Sequence, residues 1–257
     1  MFWIRDRVKS GEFLAGTFLN LGSALTAELA AQAGFDFLVL DCEHGSGDHE
    51  SLLLQLLAVG RTQAAPIVRI TWNEAPRFKR ALDLGASGIM VPYVNTEEEA
   101  RQAAAAMRYP PDGVRGVAGW NRACGFGTRV MDYIGTANDN VLTIVQIETT
   151  EAVANCEAIA GVQGVDSLFI GPTDLSFSMG IPRQIDHPLM IEAYGKVVAA
   201  CRKHGKAAGI LNMKPEELAQ NVERGFTLIA MGSDGALVSR GFLDVAAAFE
   251  PFKKGSA

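Results

Sequence analysis

The stretch Phe35-Asp36-Phe37-Leu38-Val39-Leu40-Asp41-Cys42-Glu43-His44-Gly45 is an apolar run that ends in two carboxylates and an imidazole. Apolar residues at successive positions predict a strand covered on both faces, as in a parallel sheet. Parallel α/β folds place their functional residues where the strands end. Two later apolar runs end at Glu148 and shortly before Asp174. We therefore expect several polar side chains to meet at one edge of a sheet.

Eight such runs alternate with helical patterns along the chain. The predicted strands cover residues 14–19, 35–40, 66–70, 88–91, 141–147, 165–170, 207–211 and 227–231. Predicted helices include 23–33, 48–60 and 96–107, each with a polar cap, and one that begins at Pro215. Eight βα units in this length predict an α/β fold, a (β/α)8 TIM barrel that forms one domain over residues 1–257. A doubly wound open sheet is the alternative, because counting strands does not show closure.

Composition restricts the possible partners. The 257 residues are 48% hydrophobic and carry a net charge of −6, without a block of Lys or Arg. This argues against nucleic acid and anionic membranes as partners. Four scattered cysteines, the absence of an apolar leader and the absence of a long apolar stretch predict a cytoplasmic protein.

Two segments stand apart from the alternating pattern. Residues 108–140 are rich in Gly and Arg and too long for an ordinary connection between a strand and a helix. We expect a long loop there, on the strand-exit side of the barrel, that acts as a lid or an oligomer contact. The segment Asp234–Phe249 predicts an amphipathic final helix.

Glu148 and Asp174 are the candidate metal ligands. Two carboxylates bind a hard divalent cation and leave positions open for water or substrate oxygens. The alternative is that each caps the helix that follows. His44 is the candidate acid/base group, since a neighbouring carboxylate can fix its tautomer. Asp41 is expected to orient His44 or to hold a water on the metal.

Arg69 lies within an apolar strand, where an unpaired cation is rare. It is either a structural partner of a barrel acid or a clamp for an oxyanion, and we favour the clamp. The turn from Gly171 to Asp174 offers backbone N–H groups to a carboxylate or phosphate. Nucleotide-binding motifs and the Gly-x-Ser-x-Gly elbow are absent from the sequence. Lys214 is the one candidate for a Schiff-base mechanism.

These residues belong to a longer set of motifs. Across almost its whole length the chain resembles the metal-dependent pyruvate aldolases of the HpcH/HpaI type, which cleave 4-hydroxy-2-oxo acids or 2-dehydro-3-deoxyglucarate. The matching motifs are Gly16-Thr17-Phe18, Gly34-Phe35-Asp36-Phe37, Asp41-Cys42-Glu43-His44-Gly45, Pro66-Ile67-Val68-Arg69, Ala81-Leu82-Asp83-Leu84-Gly85-Ala86, Val91-Pro92, Tyr109-Pro110-Pro111-Asp112-Gly113-Val114-Arg115-Gly116, Gln146-Ile147-Glu148-Thr149 and Gly171-Pro172-Thr173-Asp174-Leu175-Ser176.

The resemblance implies a hexamer, a dimer of trimers, in which the last helix is exchanged between subunits. It implies a divalent cofactor (Mg, Mn or Co) on Glu148 and Asp174. His44 matches the catalytic base, Arg69 the arginine at the keto oxygen, and Asp83 an aspartate that supports the histidine. Asp41 matches an acid near the base, and the substrate-binding positions include Gln146, Gly171 and Thr173. Thr173 replaces the alanine that is common in the family.

The implied reaction is reversible retro-aldol cleavage of a 4-hydroxy-2-oxo acid into pyruvate and an aldehyde. It would pass through a metal-stabilised pyruvate enolate, with His44 as the base. Three other functions stay open at this point: an acyl-CoA lyase of the citryl or malyl type, an enzyme like phosphoenolpyruvate mutase, or a non-catalytic barrel that binds small acids.

Overall fold

The computed structural model describes residues 2–253, in which eight parallel strands form a closed barrel. In chain order the strands are β1 Leu14–Leu19, β2 Phe37–Asp41, β3 Ala65–Arg69, β4 Gly88–Val91, β5 Leu142–Ile147, β6 Ser167–Ile170, β7 Ala207–Asn212 and β8 Leu228–Ser233. Each strand pairs with the next, and β8 pairs with β1. The predicted TIM barrel is confirmed, and the open sheet is excluded. Met1 and residues 254–257 of the predicted domain lie outside the described residues.

Twelve helices are described. They are α1 Arg5–Lys9, α2 Ala24–Gln32, α3 His49–Val59, α4 Ala75–Asp83, α5 Glu97–Met107, α6 Val130–Asn140, α7 Thr150–Ala154, α8 Cys156–Gly161, α9 Pro172–Ser178, α10 Pro188–Lys203, α11 Glu217–Arg224 and α12 Asp234–Phe249. The predicted capping box at Thr96 and Glu99 is present and starts α5. No helix within residues 2–253 is long and apolar enough to cross a membrane.

The barrel interior is filled by large apolar side chains. Phe37, Ile67 and Phe169 are fully buried there and belong to one cluster. Gly16 and Gly209 leave room for two of the rings, because a Cβ at either position would lie 2.4 Å from a ring carbon of Phe37 or Phe169. Each buried large side chain contributes about 1.5–3 kcal/mol by leaving water. The strands are thus held in fixed register, which fixes the positions of the residues at their ends.

Residues 108–140 differ from the prediction. The segment contains α6 and connects α5 to β5. A connection that leads from a helix into a strand lies at the end of the barrel where strands begin. The prediction of a lid on the strand-exit side is therefore wrong. The length of the segment alone did not reveal on which side of the barrel it lies.

The last helix, α12, extends away from the barrel. Every residue from 236 to 249 is exposed, and only Asp234 at its start is buried. The Asp234 carboxylate accepts hydrogen bonds from the backbone N–H of Asn20 at 2.7 Å and from the Thr26 hydroxyl at 2.6 Å. These bonds hold the first turn on the barrel. Exchange of α12 between subunits stays a prediction.

Candidate functional site

A buried ion pair joins the ends of β2 and β3. Asp41 and Arg69 are paired in the sheet register, and Arg69 donates from Nε and Nη2 to the two Asp41 oxygens at 2.9 and 2.6 Å. Its third nitrogen, Nη1, lies 3.1 Å from Glu43 Oε2. The guanidinium also lies over the Phe18 ring, 5.0 Å from its centre. A guanidinium has five N–H donors, so two remain for a ligand.

Asp41 fixes the turn that carries His44. Its Oδ1 accepts the backbone N–H groups of Glu43 at 3.0 Å and His44 at 3.2 Å. The His44 side chain is 65% exposed, and its Nε2 lies 4.0 Å from Glu43 Oε2. The carboxylate beside the imidazole is therefore that of Glu43, while Asp41 positions Arg69 and the backbone of the turn.

Glu148 follows β5 and is held on both oxygens. Oε1 accepts the backbone N–H of Tyr93 at 2.8 Å, and Oε2 accepts Nε2 of Gln146 at 3.1 Å. A Cβ on Gly171 would lie 2.7 Å from Glu148 Oε2, so any side chain at residue 171 would displace the Glu148 carboxylate from this position. The side chain of Glu148 is thus fixed at the barrel mouth beside the start of α9.

Tyr93 is a site residue that the sequence reading did not single out. Its backbone has a left-handed φ of 50°, which directs its N–H to Glu148. Its hydroxyl lies 3.5 Å from Asp174 Oδ1. Burial, Asp174 and Glu148 raise the pKa of Tyr93, so the hydroxyl keeps its proton. The signal available in the sequence was only the position of Tyr93 just after the apolar run 88–91.

The carboxylates of the site repel one another. Burial raises the pKa of Glu148 to about 8; the Tyr93 N–H opposes the shift, and Glu43 and Asp174 add to it. Burial likewise raises the pKa of Glu43, against the effect of Arg69 and His44. Asp174 therefore lies close enough to Glu43 and Glu148 at the strand ends for its charge to affect both.

This arrangement predicts a pH-dependent stability. An unfolded glutamic acid has a pKa of about 4.3, so between that pH and 8 folded Glu148 keeps a proton that the unfolded chain has lost. Stability therefore falls as pH rises through this range. We expect Glu148→Gln, which mimics the protonated acid, to unfold at a temperature several degrees above that of wild type at pH 8.5. At pH 5 the two unfolding temperatures should be close. For a chain of this size, each kcal/mol of stability changes the unfolding temperature by roughly 2–4 °C. Thermal unfolding in EDTA tests this, and parallel pH profiles for the two proteins would contradict it.

A divalent cation fits the donors present. Glu148 and Asp174 supply carboxylate oxygens, and Gln146 Oε1 is buried without a hydrogen-bond partner in the described structure. Across residues 2–253, no group of three or more His, Cys, Asp or Glu side chains is placed to hold a metal. Two carboxylates would leave the other positions of a hard cation to oxygens of water or substrate. The positive charge would also offset the burial, and the repulsion by Glu43 and Asp174, that raise the pKa of Glu148.

Within one chain, Asp83 does not lie near His44. It ends α4, which returns the chain from the strand-exit end to the start of β4. Its Oδ1 accepts a hydrogen bond from Arg115 Nη2 at 2.9 Å. The predicted support of His44 by Asp83 therefore has no basis in the single chain, because the two lie at opposite ends of the barrel.

Comparison with protein families agrees with this geometry. The family model described as HpcH/HpaI aldolase/citrate lyase matches residues 14–241. The chain belongs to the HpcH/HpaI aldolase/citrate lyase family. The matched range begins with β1 and extends through β8 into α12. The family resemblance inferred from the sequence motifs is thus confirmed.

Individual members of the HpcH/HpaI family are similar over nearly the whole chain. The 4-hydroxy-2-oxo-heptane-1,7-dioate aldolase of Salmonella arizonae is 41% identical over 251 residues, which cover 97% of this chain and 95% of that protein. A family structure from Burkholderia cenocepacia J2315 is 38% identical with a TM-score of 0.91, and covers 95% of this chain and 98% of that one. The HpcH/HpaI aldolase structure from Desulfitobacterium hafniense DCB-2 is 28% identical with a TM-score of 0.91, and both chains are covered completely.

Proposed function

We propose that the protein is a class II pyruvate aldolase that reversibly cleaves a 4-hydroxy-2-oxo acid into pyruvate and an aldehyde. The observation that carries this proposal is the meeting of Arg69, Glu148 and Asp174 at the strand-exit end of the barrel. Arg69 and Glu148 are buried and held by named partners. The 41% identity to a 4-hydroxy-2-oxo acid aldolase over 97% of the chain supports the same reaction.

We propose that a divalent cation (Mg, Mn or Co) binds to Glu148 and Asp174. When bound, it would act as a Lewis acid that draws electrons from the substrate's keto oxygen, an effect worth several kcal/mol. Gln146 and Gly171 support Glu148, the first by a hydrogen bond and the second by leaving room for its oxygen.

The side chains of the barrel then carry the individual steps. His44 removes the proton of the C4 hydroxyl, and the adjacent Glu43 carboxylate stabilises the positive charge that His44 gains. The C3–C4 bond breaks, the aldehyde leaves, and the electron pair forms pyruvate enolate. The two unused N–H donors of Arg69 stabilise the developing oxyanion. His44 then returns the proton that it removed to C3 of the enolate, directly or through water, which gives pyruvate and restores the neutral base.

The substrate carboxylate is assigned to the first turn of α9. This helix begins at Pro172, so the N–H groups of Thr173 and Asp174 have no acceptor within the helix. Such N–H groups attract anions. The hydroxyl of Thr173 lies at the same turn and adds a polar group beside the carboxylate position.

The proposal is tested by exchange of the methyl protons of pyruvate in heavy water, followed by mass spectrometry with Mn²⁺ or with EDTA. The reaction needs no aldehyde, so it reports enolate formation directly. We expect exchange with Mn²⁺ and none in EDTA. Absence of exchange under both conditions would contradict the aldolase function. Exchange that persists in EDTA would instead indicate a Schiff base on Lys214, which borohydride trapping would reveal.

His44→Ala separates proton transfer from metal binding. General acid–base catalysis contributes about 10²- to 10⁴-fold, so we expect cleavage to fall by a factor in that range. Mn²⁺ affinity measured by titration calorimetry should stay within about twofold, because His44 is exposed and is not one of the proposed ligands. The exposed His204→Ala is the control. Loss of Mn²⁺ binding in His44→Ala would contradict its assignment as the base.

We further propose that residues 1–257 form one catalytic domain in the cytoplasm. The closed barrel includes strands from residue 14 to residue 233. All four cysteines are free, which is typical of a reducing compartment.

We propose that the protein assembles as a hexamer, a dimer of trimers, through α12. Phe242 and Leu243 of α12 are exposed, as are Leu25 and Leu29 of α2. Contiguous exposed apolar side chains mark interaction surfaces. Exchange of α12 between subunits would bury these side chains against a neighbouring barrel.

Phe242→Glu tests the assembly. A buried charge without a partner destabilises an interface strongly, so we expect sedimentation velocity to show smaller species at micromolar concentration. Leu189→Glu places the same charge at another exposed apolar position, on α10, and should leave the assembly unchanged. A wild-type protein that sediments as a monomer would contradict the proposed hexamer.

A further inference from the structure

A cavity of about 550 Å³ lies at the strand-entry end of the barrel, opposite the proposed reaction site. Its walls come from α1, from α5 and the segment after it, from the end of α6 and from the turn before β6. This volume is in the range of small-molecule sites, about 300–1,000 Å³. The residues assigned above to catalysis and metal binding are not among those that line it. The charged side chains of the lining are three arginines and two aspartates: Arg5, Arg101, Arg108, Asp112 and Asp139.

Arg108 is a buried cation without a carboxylate partner. It is only 9% exposed, and it forms no ion pair with any residue between 2 and 253. Its guanidinium donates from Nη1 to the Ala104 carbonyl at 3.0 Å and from Nη2 to the Gly164 carbonyl at 3.1 Å. A guanidinium has five N–H donors, so three remain for a ligand in the cavity. Arginine is seldom buried unless it is paired, so the cavity lacks a counter-charge for Arg108.

Gly164 fixes the position of this guanidinium. Its φ of 101° is left-handed, and a Cβ at this residue would lie 2.5 Å from Arg108 Nη1. Any side chain at residue 164 would therefore displace the guanidinium from its two carbonyl partners. Because the donors of Arg108 are held in place before a ligand arrives, binding loses less conformational entropy.

Positive charge exceeds negative charge around Arg108. Nε of Arg5 donates to both oxygens of Asp166, at 2.9 and 3.0 Å, so this buried carboxylate is already paired. Lys206 is a further half-buried cation, and its Nζ is held on backbone carbonyls. Burial lowers the pKa of Lys206, and the charges of Arg5 and Arg108 lower it further, against the effect of Asp166. The other carboxylates that act on Arg108 are exposed: Asp112 and Asp139.

We propose that this cavity binds a phosphate group, either inorganic phosphate or the phosphate ester of a small molecule. A guanidinium can bond two phosphate oxygens at once, which suits the free donors of Arg108. A phosphate carries between one and two negative charges at neutral pH and would balance the excess of positive charge. Nη2 of Arg5, which has no partner within residues 2–253, and Arg101 at the rim supply further donors. The inference does not depend on the proposed aldolase function.

Titration calorimetry tests the site with inorganic phosphate and, separately, with glycerol 3-phosphate. The protein is kept in EDTA, and chloride at equal ionic strength is the reference. We expect saturable binding of at least one probe with a Kd of about 1 mM or lower, and the tighter probe distinguishes free phosphate from an ester. With that Kd, about 10 mM ligand should raise the unfolding temperature by roughly 3–6 °C relative to chloride. Absence of binding by both probes would overturn the proposal.

Three variants locate the bound phosphate. Arg108→Met keeps a long side chain without the charge and should weaken phosphate binding at least about tenfold. Asp139→Asn removes an exposed carboxylate that repels the ligand and should strengthen binding about threefold. Arg61→Met is the control, because Arg61 is an exposed arginine that follows α3 at the same end of the barrel and does not line the cavity.

The N–H groups at the start of α9 are another place that attracts anions, and Arg108→Met separates the two locations. A folded Arg108→Met protein that binds phosphate as tightly as wild type would place the anion elsewhere and overturn the proposal. If this variant does not fold, Asp139→Asn decides, since an unchanged phosphate affinity there would also overturn it. Pyruvate proton exchange reports on the aldolase function separately, so failure of one proposal leaves the other standing.

Discussion

Glu148→Gln is expected to abolish metal-dependent catalysis and to leave the barrel intact. The substitution keeps the shape of the side chain and removes one of the two carboxylates assigned to the cation. We expect Mn²⁺ affinity to fall at least about 100-fold, more than is usual for loss of a supporting residue. Pyruvate proton exchange should fall by about 10³-fold or more. Titration calorimetry and exchange measured at pH 8 check both expectations.

The stability of this variant should change in the opposite direction from its activity. Wild-type Glu148 is buried near Glu43 and Asp174, so its negative charge is unfavourable without a cation. A neutral amide avoids this repulsion, and active-site residues often reduce stability in this way. Glu157→Gln is the control, because Glu157 is an exposed carboxylate paired with Lys203 on the outside of the barrel. Mn²⁺ binding equal to that of wild type would contradict the ligand assignment.

Arg69→Lys is expected to impair both activity and stability, although it keeps the charge. A lysine cannot donate simultaneously to both Asp41 oxygens and to Glu43. We expect kcat/KM for cleavage to fall about 10²- to 10³-fold, as when an oxyanion-stabilising donor is removed. We also expect a loss of about 3 kcal/mol in stability, because the buried Asp41 carboxylate loses its bidentate partner. Steady-state kinetics and urea denaturation measure the two effects.

Arg101→Lys is the matched control for this substitution. Arg101 pairs with Glu97 one turn away on α5, and both side chains are largely exposed. Exposed pairs of this kind contribute about 0.3–0.5 kcal/mol, so little change is expected. An Arg69→Lys enzyme with wild-type activity would show that Arg69 has a purely structural role.

The fold was predictable because it is encoded locally. The apolar run around Val39 and the capping box at Thr96 each predict an element without knowledge of the rest of the chain. The side of the barrel on which residues 108–140 lie was predicted wrongly, although it follows from their place after α5 and before β5. The helix α6 within this segment was not predicted, because its N-cap, Arg129, makes no side-chain capping bond that would mark the start.

The site was only partly predictable from sequence. Arg69 could be recognised as a cation in an apolar strand, but its partners could not, because Asp41 pairs with it across two strands. The backbone N–H of Tyr93 left no pattern in the sequence, since its direction depends on backbone conformation. The position of Asp83 relative to His44 required knowledge of where each helix returns the chain.

Gly171 and Tyr93 both support the Glu148 carboxylate, but they differ in how far they tolerate substitution, which matters for redesigning the enzyme. Any side chain at Gly171 would collide with the Glu148 oxygen 2.7 Å from its first carbon. A mutant library that varies this position should return almost only inactive clones. Tyr93 supports Glu148 through its main chain, so exchange of its ring keeps that bond and removes the 3.5 Å contact of its hydroxyl with Asp174. Residues that accept a left-handed backbone, such as Asn, suit the position best. Libraries for new aldehyde acceptors should therefore keep residue 171 constant and begin at residue 93.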